Sequence, residues 1–296
     1  MLTTVSVRNR TALAATFLAA LAVFVFGAVA AEASQPTPWQ LGFQPSASPV
    51  KDYIGWFHDL LLVIITLITV FVLALLLYTI VRFRAAANPT PSRATHNTLL
   101  EIVWTGVPVL LLVLIAIPSI DLIRVADKPP AVDMTIKISG HQWYWKYQYP
   151  DHGEFEFDSY MIADADLKPG QVRLLEVDNR LVVPVGANVQ VLIAGTDVIH
   201  SWFVPALGVQ KYAMPGRTND LWFRADKPGV FYGQCNQICG VNHAYMPIAV
   251  EAVDKPTFDR WTAEAKKRFA DGGKAPLSVA EVQALDAPRV ALNLSK

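Results

Sequence analysis

Cysteine is nearly absent from this chain, which has two among its 296 residues. The small secreted domains that are built on several disulfides are therefore excluded. Charge is also scarce, since charged residues make up only 17% and the formal net charge is zero. No basic field suggests a nucleic-acid partner. Hydrophobic residues reach 53% and the mean hydropathy is +0.31, which is too apolar for an ordinary soluble protein.

The apolar excess is concentrated in the first 125 residues. Residues 1–33 combine Arg8 and Arg10 with a long Ala-rich run and small residues at its end, which predicts a signal peptide. The run is slightly long, so an uncleaved anchor is the alternative. Several prolines then predict a linker on the outer side of the membrane over residues 34–58.

Two further apolar segments predict a transmembrane hairpin over residues 59–125, with spans at about 60–81 and 102–120. Pro108 and Pro118 fall in the second span, where membrane helices tolerate proline. The connector carries three arginines and no acid, so the positive-inside rule places it in the cytoplasm. We therefore expect a multi-pass protein of a bacterial inner membrane, with its C-terminal domain in the periplasm.

From residue 131 to 253 the pattern changes to short β-branched and aromatic runs between turn residues. This spacing predicts a β-sandwich or partly open barrel. The predicted strands are Met134–Ile138, Val172–Val177, Asn188–Ile193, Asn219–Phe223 and Val230–Tyr232. The remaining residues, 254–296, are expected to form a helix over Lys255–Phe269 and a weakly patterned tail.

Residues 140–149 are the densest aromatic stretch of the chain. Strand alternation would place Trp143, Trp145, Tyr147 and Tyr149 on one face. Aromatic runs in strands usually serve packing, and the alternation alone does not distinguish one ring from the others.

Both cysteines belong to one short segment with the spacing Cys-x3-Cys-x3-His-x2-Met, formed by Cys235, Cys239, His243 and Met246. Thiolate, imidazole and thioether are ligands that favour copper over magnesium, calcium or manganese. Two thiolates in one loop can bridge two copper ions, each completed by an imidazole and a weak axial ligand. His200 is the candidate for the second imidazole.

Three alternatives compete with a copper site. A disulfide between Cys235 and Cys239 would leave His243 and Met246 without a role. A zinc site would require more cysteine or histidine, or a carboxylate, and would have little use for Met246. His200, finally, could be an ordinary core or surface histidine.

These ligands, preceded by Asp-Val-Ile-His-Ser-Trp at 197–202, resemble the CuA site of cytochrome c oxidase subunit II. The resemblance implies a two-helix transmembrane hairpin followed by an all-β cupredoxin-like Greek-key barrel. It also implies two copper ions, held by His200, Cys235, the backbone carbonyl of Gln237, Cys239, His243 and Met246. Such a subunit passes electrons from cytochrome c to haem in subunit I, where oxygen reduction is coupled to proton translocation. The implied partners are subunit I with its haem and CuB, subunit III, cytochrome c and membrane lipid, and the chain alone is not a complete enzyme.

The resemblance implies further roles for individual residues. Gly-His-Gln-Trp-Tyr-Trp is similar to the aromatic stretch of the family, in which Trp143 would be the point where electrons enter. Glu101 resembles an acid near the entrance of a proton path, although an acid at a helix start is also favoured by the helix dipole. Asp178 and Asp197 match positions that dock cytochrome c, and each could equally be a turn or cap residue.

Gln237 departs from the family, which commonly has a glutamate that also binds magnesium at the junction with subunit I. A neutral amide is a poorer ligand for a hard divalent cation, so an interfacial magnesium is disfavoured here. Three other classes share features with this chain. A quinol oxidase subunit would not need the copper ligands, a copper carrier needs only one anchor, and a nitrous oxide reductase needs a large extra domain.

Overall fold

The computed structural model describes residues 34–270. The predicted signal peptide and most of the predicted tail lie outside this range. Two long helices come first, α1 (Pro49–Arg82) and α2 (Thr98–Asp127), and the predicted spans fall within them. Both are long and apolar enough to cross a membrane by length and composition. Their large apolar side chains are mostly exposed, as lipid-facing helices require.

α1 begins inside the segment that was predicted as a linker. Its start is fixed by Ser48, whose hydroxyl oxygen accepts a hydrogen bond from the Lys51 N–H at 3.0 Å, with Pro49 as the first helical residue. The preceding chain also packs on the β-domain, because Ser34 pairs with Phe231 and Ala47 is buried. Residues 34–48 therefore lie along the β-domain as an ordered segment.

α2 begins with a reciprocal cap. The Asn97 side chain accepts a hydrogen bond from the Leu100 N–H at 3.1 Å, and Glu101 Oε1 accepts one from the Asn97 N–H at 3.2 Å. The N–H groups of Leu100 and Asn97 would otherwise be unpaired donors at a helix end. Glu101 therefore has a structural role at this helix start, which is the simpler of its two sequence interpretations.

A β-domain follows the helices. Its strands are β1 (Met134–His141), β2 (Tyr144–Tyr149), β3 (Phe155–Ser159), β4 (Leu181–Pro184), β5 (Val189–Gly195), β6 (His200–Val204), β7 (Val209–Ala213), β8 (Asn219–Phe223), β9 (Gly229–Cys235) and β10 (Pro247–Val253). They form two five-stranded sheets, with the orders β3-β2-β1-β5-β8 and β4-β10-β9-β6-β7. Only the pairs β1–β5 and β4–β10 are parallel. One apolar cluster joins the inner faces of both sheets, so the predicted fold class is confirmed.

Three of the four aromatic residues in the dense stretch lie on one strand face, as alternation predicts. Trp145, Tyr147 and Tyr149 are fully buried and face the core from β2. Trp143 is different, because it lies in the tight turn between β1 and β2, where His141 pairs with Tyr144. The prediction that all four share a strand face is therefore wrong for Trp143.

Four of the predicted strands overlap β1, β5, β8 and β9, and the prediction of a strand over Val172–Val177 is wrong. There the N–H groups of Leu175 and Glu176 both donate to the Val172 carbonyl, and Leu174 has a φ of +65°. These local turn bonds replace the partners that a strand would need from a neighbour. The sequence analysis also missed β3, β4, β6, β7 and β10, most of which are only four or five residues long.

The predicted C-terminal helix is confirmed as α3 (Lys255–Ala270). Its apolar face packs against the open end of the first sheet. The ring of Trp261 lies 5.3 Å from that of Tyr149, and Phe269 stacks on Phe157 at 4.9 Å. α3 thereby covers aromatic side chains that would otherwise face water.

Candidate metal centre

Strand pairing brings the predicted ligands together at one end of the second sheet. His200 is the first residue of β6 and Cys235 is the last residue of β9, and these neighbouring strands are antiparallel. β9 also pairs with β10, so the chain from Cys235 to Met246 forms a loop that leaves the sheet and returns to it. We call residues 235–246 the ligand loop.

Five donor side chains meet where this loop faces His200. The sulfurs of Cys235 and Cys239 are 3.9 Å apart. Cys235 Sγ lies 4.0 Å from His200 Nδ1, and Cys239 Sγ lies 3.5 Å from His243 Nδ1. Met246 Sδ is 3.6 Å from Cys239 Sγ. The donor atoms of His200 and the two cysteines all lie within 4.8 Å of one another, so one compact site could hold metal.

The backbone carbonyl of Gln237 also points at the site. Its oxygen lies 3.3 Å from Cys235 Sγ. Each sulfur therefore has one imidazole nitrogen nearby and one weaker donor, a carbonyl oxygen for Cys235 and a thioether for Cys239. Two thiolates, two imidazoles and two weak donors are a donor set that suits copper.

Both cysteines are free, and they are buried together with His200 and Met246. Burial opposes ionisation of the Cys235 thiol, but hydrogen bonding to His200 and to the backbone outweighs it and holds the pKa of Cys235 below its ordinary value. Burial and the adjacent Cys235 sulfur raise the pKa of Cys239. Metals bind the thiolate form, so metal binding must displace any proton that these thiols carry.

Asp197 holds His200 in place. The His200 Nε2 lies 2.9 Å from Asp197 Oδ1, which also accepts the Val198 N–H at 2.6 Å, and Asp197 Oδ2 accepts the Gln142 N–H at 2.7 Å. Burial opposes ionisation of Asp197, but the hydrogen bond from His200 and the backbone bonds keep its pKa below the ordinary value. An ionised carboxylate at Nε2 leaves Nδ1 free to face the sulfurs.

The turn that carries Trp143 rests directly on the ligand loop. The Trp143 indole N–H donates to the Cys239 carbonyl at 3.2 Å, and the Gln142 side-chain amide donates to the same oxygen at 2.7 Å. Gly240 makes this approach possible, because a Cβ there would lie 2.8 Å from Trp143 Cζ2. Gly240 also has a φ of +126°, a conformation that other residues rarely adopt.

Asp178 lies on the surface, away from the donor groups. It accepts the Tyr160 N–H at 2.7 Å, and the Tyr160 ring stacks on Tyr144, which stacks in turn on His141. Its place is thus beside the Trp143 turn, at the end of a row of stacked rings. Partial burial of its carboxyl group raises the pKa of Asp178.

Glu101 is not brought to this site. The far end of α2 contacts the β-domain, where the Trp222 indole N–H donates to the Val125 carbonyl at 3.0 Å. Glu101 lies 24 residues before Val125, which corresponds to roughly 36 Å along a helix. Sequence reasoning also missed Gly240 and the contact of Asp197 with His200. The spacing of three residues between these two is a signal that could have pointed to that contact.

Comparison with known proteins identifies the family of this chain. The family model "Cytochrome C oxidase subunit II, periplasmic domain" matches residues 134–253, and "Cytochrome C oxidase subunit II, transmembrane domain" matches residues 36–122. The chain belongs to the cytochrome c oxidase subunit II family. It is 52% identical to a probable cytochrome c oxidase subunit 2 of Rickettsia bellii, over 83% of this chain and 91% of that protein. A Rickettsia felis relative is also 52% identical, over 82% of this chain and 77% of that protein.

Among solved structures, the chain is similar to the periplasmic domain of subunit II of cytochrome oxidase of Bradyrhizobium japonicum. The identity is 51%, and the match covers 48% of this chain and 99% of that one, with a TM-score of 0.45. The two family models and the curated relatives make the chain a membrane-protein subunit of a cytochrome c oxidase, which is a respiratory oxidoreductase. Its cluster of His200, Cys235 and Cys239 is compatible with a copper site.

Proposed function

We propose that this chain is the subunit through which electrons enter the oxidase. In this proposal the ligand loop and His200 would hold a binuclear CuA centre, which would supply one-electron transfer between cytochrome c and haem in subunit I. The observation that supports it is the pairing of two free sulfurs 3.9 Å apart, each with its own imidazole nitrogen within about 4 Å. A mononuclear site would leave one of these cysteine–histidine pairs without a role.

Copper held by Cys235, Cys239, His200, His243 and Met246 would supply one-electron transfer with little rearrangement. The protein contributes rigidity to this process. His200 and Cys235 sit on neighbouring paired strands, and Met246 leads directly into β10, so the sheet fixes these three donors relative to one another. Burial of both cysteines keeps water from competing for their sulfurs.

We propose that electrons reach the metal site through Trp143. Its indole ring is partly exposed and its N–H is bonded to the carbonyl of Cys239, so it connects the protein surface with a ligand in a single side chain. Acidic Asp178 beside the same turn would attract a basic cytochrome c. Asp197 has the same charge, but its contact with His200 indicates that positioning that ligand is its first role.

The membrane arrangement belongs to the same proposal. Residues 1–33 would serve as a signal peptide, and the arginine-containing connector would face the cytoplasm, which places residues 131–253 in the periplasm of a bacterial inner membrane. Subunits I and III would be partners within the membrane. Glu101, at the opposite end of α2, would then stand at the cytoplasmic side, where a proton path could begin. An interfacial magnesium ion is not included, because Gln237 offers only a neutral amide.

Copper content and electron paramagnetic resonance of the purified chain test the centre. Two copper ions per chain and a seven-line mixed-valence spectrum are expected, because one unpaired electron would be shared by two equivalent metals. A four-line spectrum with one copper would instead indicate a mononuclear site and overturn the proposal. Zinc bound in preference to copper would do the same.

Two variants test the assigned residues. Cys239→Ser should abolish the seven-line signal, and survival of that signal would reject bridging by this sulfur. Trp143→Ala should retain both copper ions and the spectrum while slowing reduction by cytochrome c. Unchanged turnover in Trp143→Ala would remove the assignment of this ring as the point where electrons enter.

A further inference from the structure

A second site lies at the start of α1, on the side of the β-domain that faces the helices. A cavity of about 570 Å³ is open there between the N-terminal segment, the first turn of α1 and the β6–β7 connection. Its polar lining consists of Lys51, Gln40, Gln44 and Gln210, and Phe43 and Ile54 contribute apolar walls. Among the described residues that line it, none is acidic.

Lys51 carries an uncompensated charge in this cavity. The residue is only 6% exposed, and its ammonium lies 3.8 Å from the centre of the Phe43 ring. Within residues 34–270, no carboxylate lies within ion-pair distance of it and no hydrogen bond from its Nζ is found. A buried cation without a counter-ion is costly, and a cation–π contact offsets only part of that cost. The cavity therefore favours an anion.

The backbone around Lys51 is held against the β-domain, so its side chain starts from a fixed point at the wall of the cavity. Ser48 donates a hydrogen bond to the Leu207 carbonyl at 2.7 Å while it accepts the Lys51 N–H. Gly208 sits so close that a Cβ there would be 2.9 Å from the Lys51 backbone. The sharp turn at Gly208 and the cap at Ser48 together hold the first turn of α1 against the β-domain.

Three glutamine side chains, Gln40, Gln44 and Gln210, make up the rest of the polar lining, and their amide groups can hydrogen-bond to phosphate or hydroxyl oxygens. The occupant of the cavity should therefore carry an anionic group for Lys51 and further polar atoms for the glutamines. The headgroup of a phospholipid such as phosphatidylglycerol has both.

The level of the cavity along the helices agrees with a lipid headgroup. The Tyr53 hydroxyl donates to the Pro118 carbonyl at 3.4 Å, and Pro118 is near the end of the second predicted span. Lys51 lies two residues beyond Tyr53 and nine residues before the first predicted span, roughly 14 Å outside that span along α1, so the cavity lies on the outer side of the membrane surface, within reach of headgroups. Trp39 and Leu41, beside the cavity, are 98% and 97% exposed, as side chains that enter a membrane interface would be.

We propose that this cavity binds the headgroup of an anionic membrane phospholipid, whose phosphate pairs with Lys51. The site is separate from the ligand loop and does not depend on copper. It would anchor the β-domain to the bilayer surface at the point where α1 leaves it.

Native mass spectrometry of the full chain in detergent, titrated with phosphatidylglycerol, tests the proposal. The wild type should retain the lipid, and Lys51→Met should bind it at least about fivefold more weakly, since one lysine near an anionic surface contributes about that factor. Lys128→Met removes the same charge from the outer end of α2, outside the cavity, and should bind as the wild type does. Equal binding by Lys51→Met and the wild type, or equal loss in Lys128→Met, would overturn the proposal.

Two further measurements separate the alternatives. Gln210→Glu places a negative charge on an exposed residue of the lining, so it should also weaken binding, and it serves as the variant to use if Lys51→Met does not fold, as judged by circular dichroism. Inorganic phosphate at millimolar concentration should not displace the lipid, and displacement would indicate a site for a free anion instead. If the Lys51→Met oxidase lost a partner subunit while its lipid content was unchanged, the cavity would belong to a protein partner and the lipid proposal would be wrong.

Discussion

Replacing Asp197 by asparagine separates two roles that the sequence could not distinguish. The carboxylate accepts three hydrogen bonds, from His200 Nε2, the Val198 N–H and the Gln142 N–H, at 2.9, 2.6 and 2.7 Å. Asparagine has the same shape but only one accepting oxygen. Its NH₂ group must face at least one of these N–H groups, and the negative charge beside the imidazole is lost.

Outer partners of metal-binding histidines typically contribute 10- to 100-fold in metal affinity. We therefore expect Asp197→Asn to weaken copper binding by about that factor, equivalent to about 1.4–2.8 kcal/mol. Competition with a copper chelator, monitored through the paramagnetic resonance signal, measures this change. The control is Asp178→Asn, which removes the same negative charge without affecting a metal ligand. Asp178 bonds only to backbone near Tyr160 and to its own loop.

The two variants should therefore differ in copper affinity while both slow association with a basic cytochrome c. Equal copper affinities in Asp197→Asn and Asp178→Asn would refute a positioning role for Asp197 and leave docking as its function. A loss of copper in Asp178→Asn alone would contradict the reasoning altogether.

Two other substitutions probe the contact of Trp143 with the ligand loop and an ion pair elsewhere in the β-domain. Gly240→Ala places a methyl group 2.8 Å from Trp143 Cζ2, so slower reduction by cytochrome c with copper retained is expected in stopped-flow measurements, whereas Gly170→Ala, at a positive φ with no neighbour within 4 Å, should leave the rate unchanged. Equal rates in the two variants would show that contact with the indole does not matter. Glu176→Gln removes the bidentate partner of the Arg180 guanidinium, which is 24% exposed, and should lower the free energy of unfolding by about 2 kcal/mol. Urea unfolding measures this loss, and a change below about 0.5 kcal/mol would show that this ion pair is not a stabilising element.

Local sequence patterns were enough to predict the elements that have a long apolar run or an unusual set of residue types. The apolar runs predicted both long helices, because an uncharged apolar run of about 20 residues has the length and composition that a bilayer-spanning helix needs. α3 followed from its helical spacing of Phe258 and Trp261. Short strands were harder, since a run of four or five residues is decided by its neighbours. Val172–Val177 has strand-like composition, yet its backbone bonds close locally into turns.

By itself, the sequence determined which atoms are available for metal and which segments can cross a membrane, because ligand type and hydropathy are properties of single residues and short runs. Only the tertiary structure decided that Asp197 contacts His200, that Trp143 leaves the strand to lie on Gly240, and that Lys51 is buried without a counter-ion. The Asp197–His200 contact depends on the turn that leads into β6, whereas the Trp143 contact and the burial of Lys51 depend on tertiary packing, which places residues far apart in the chain within a few ångströms of each other.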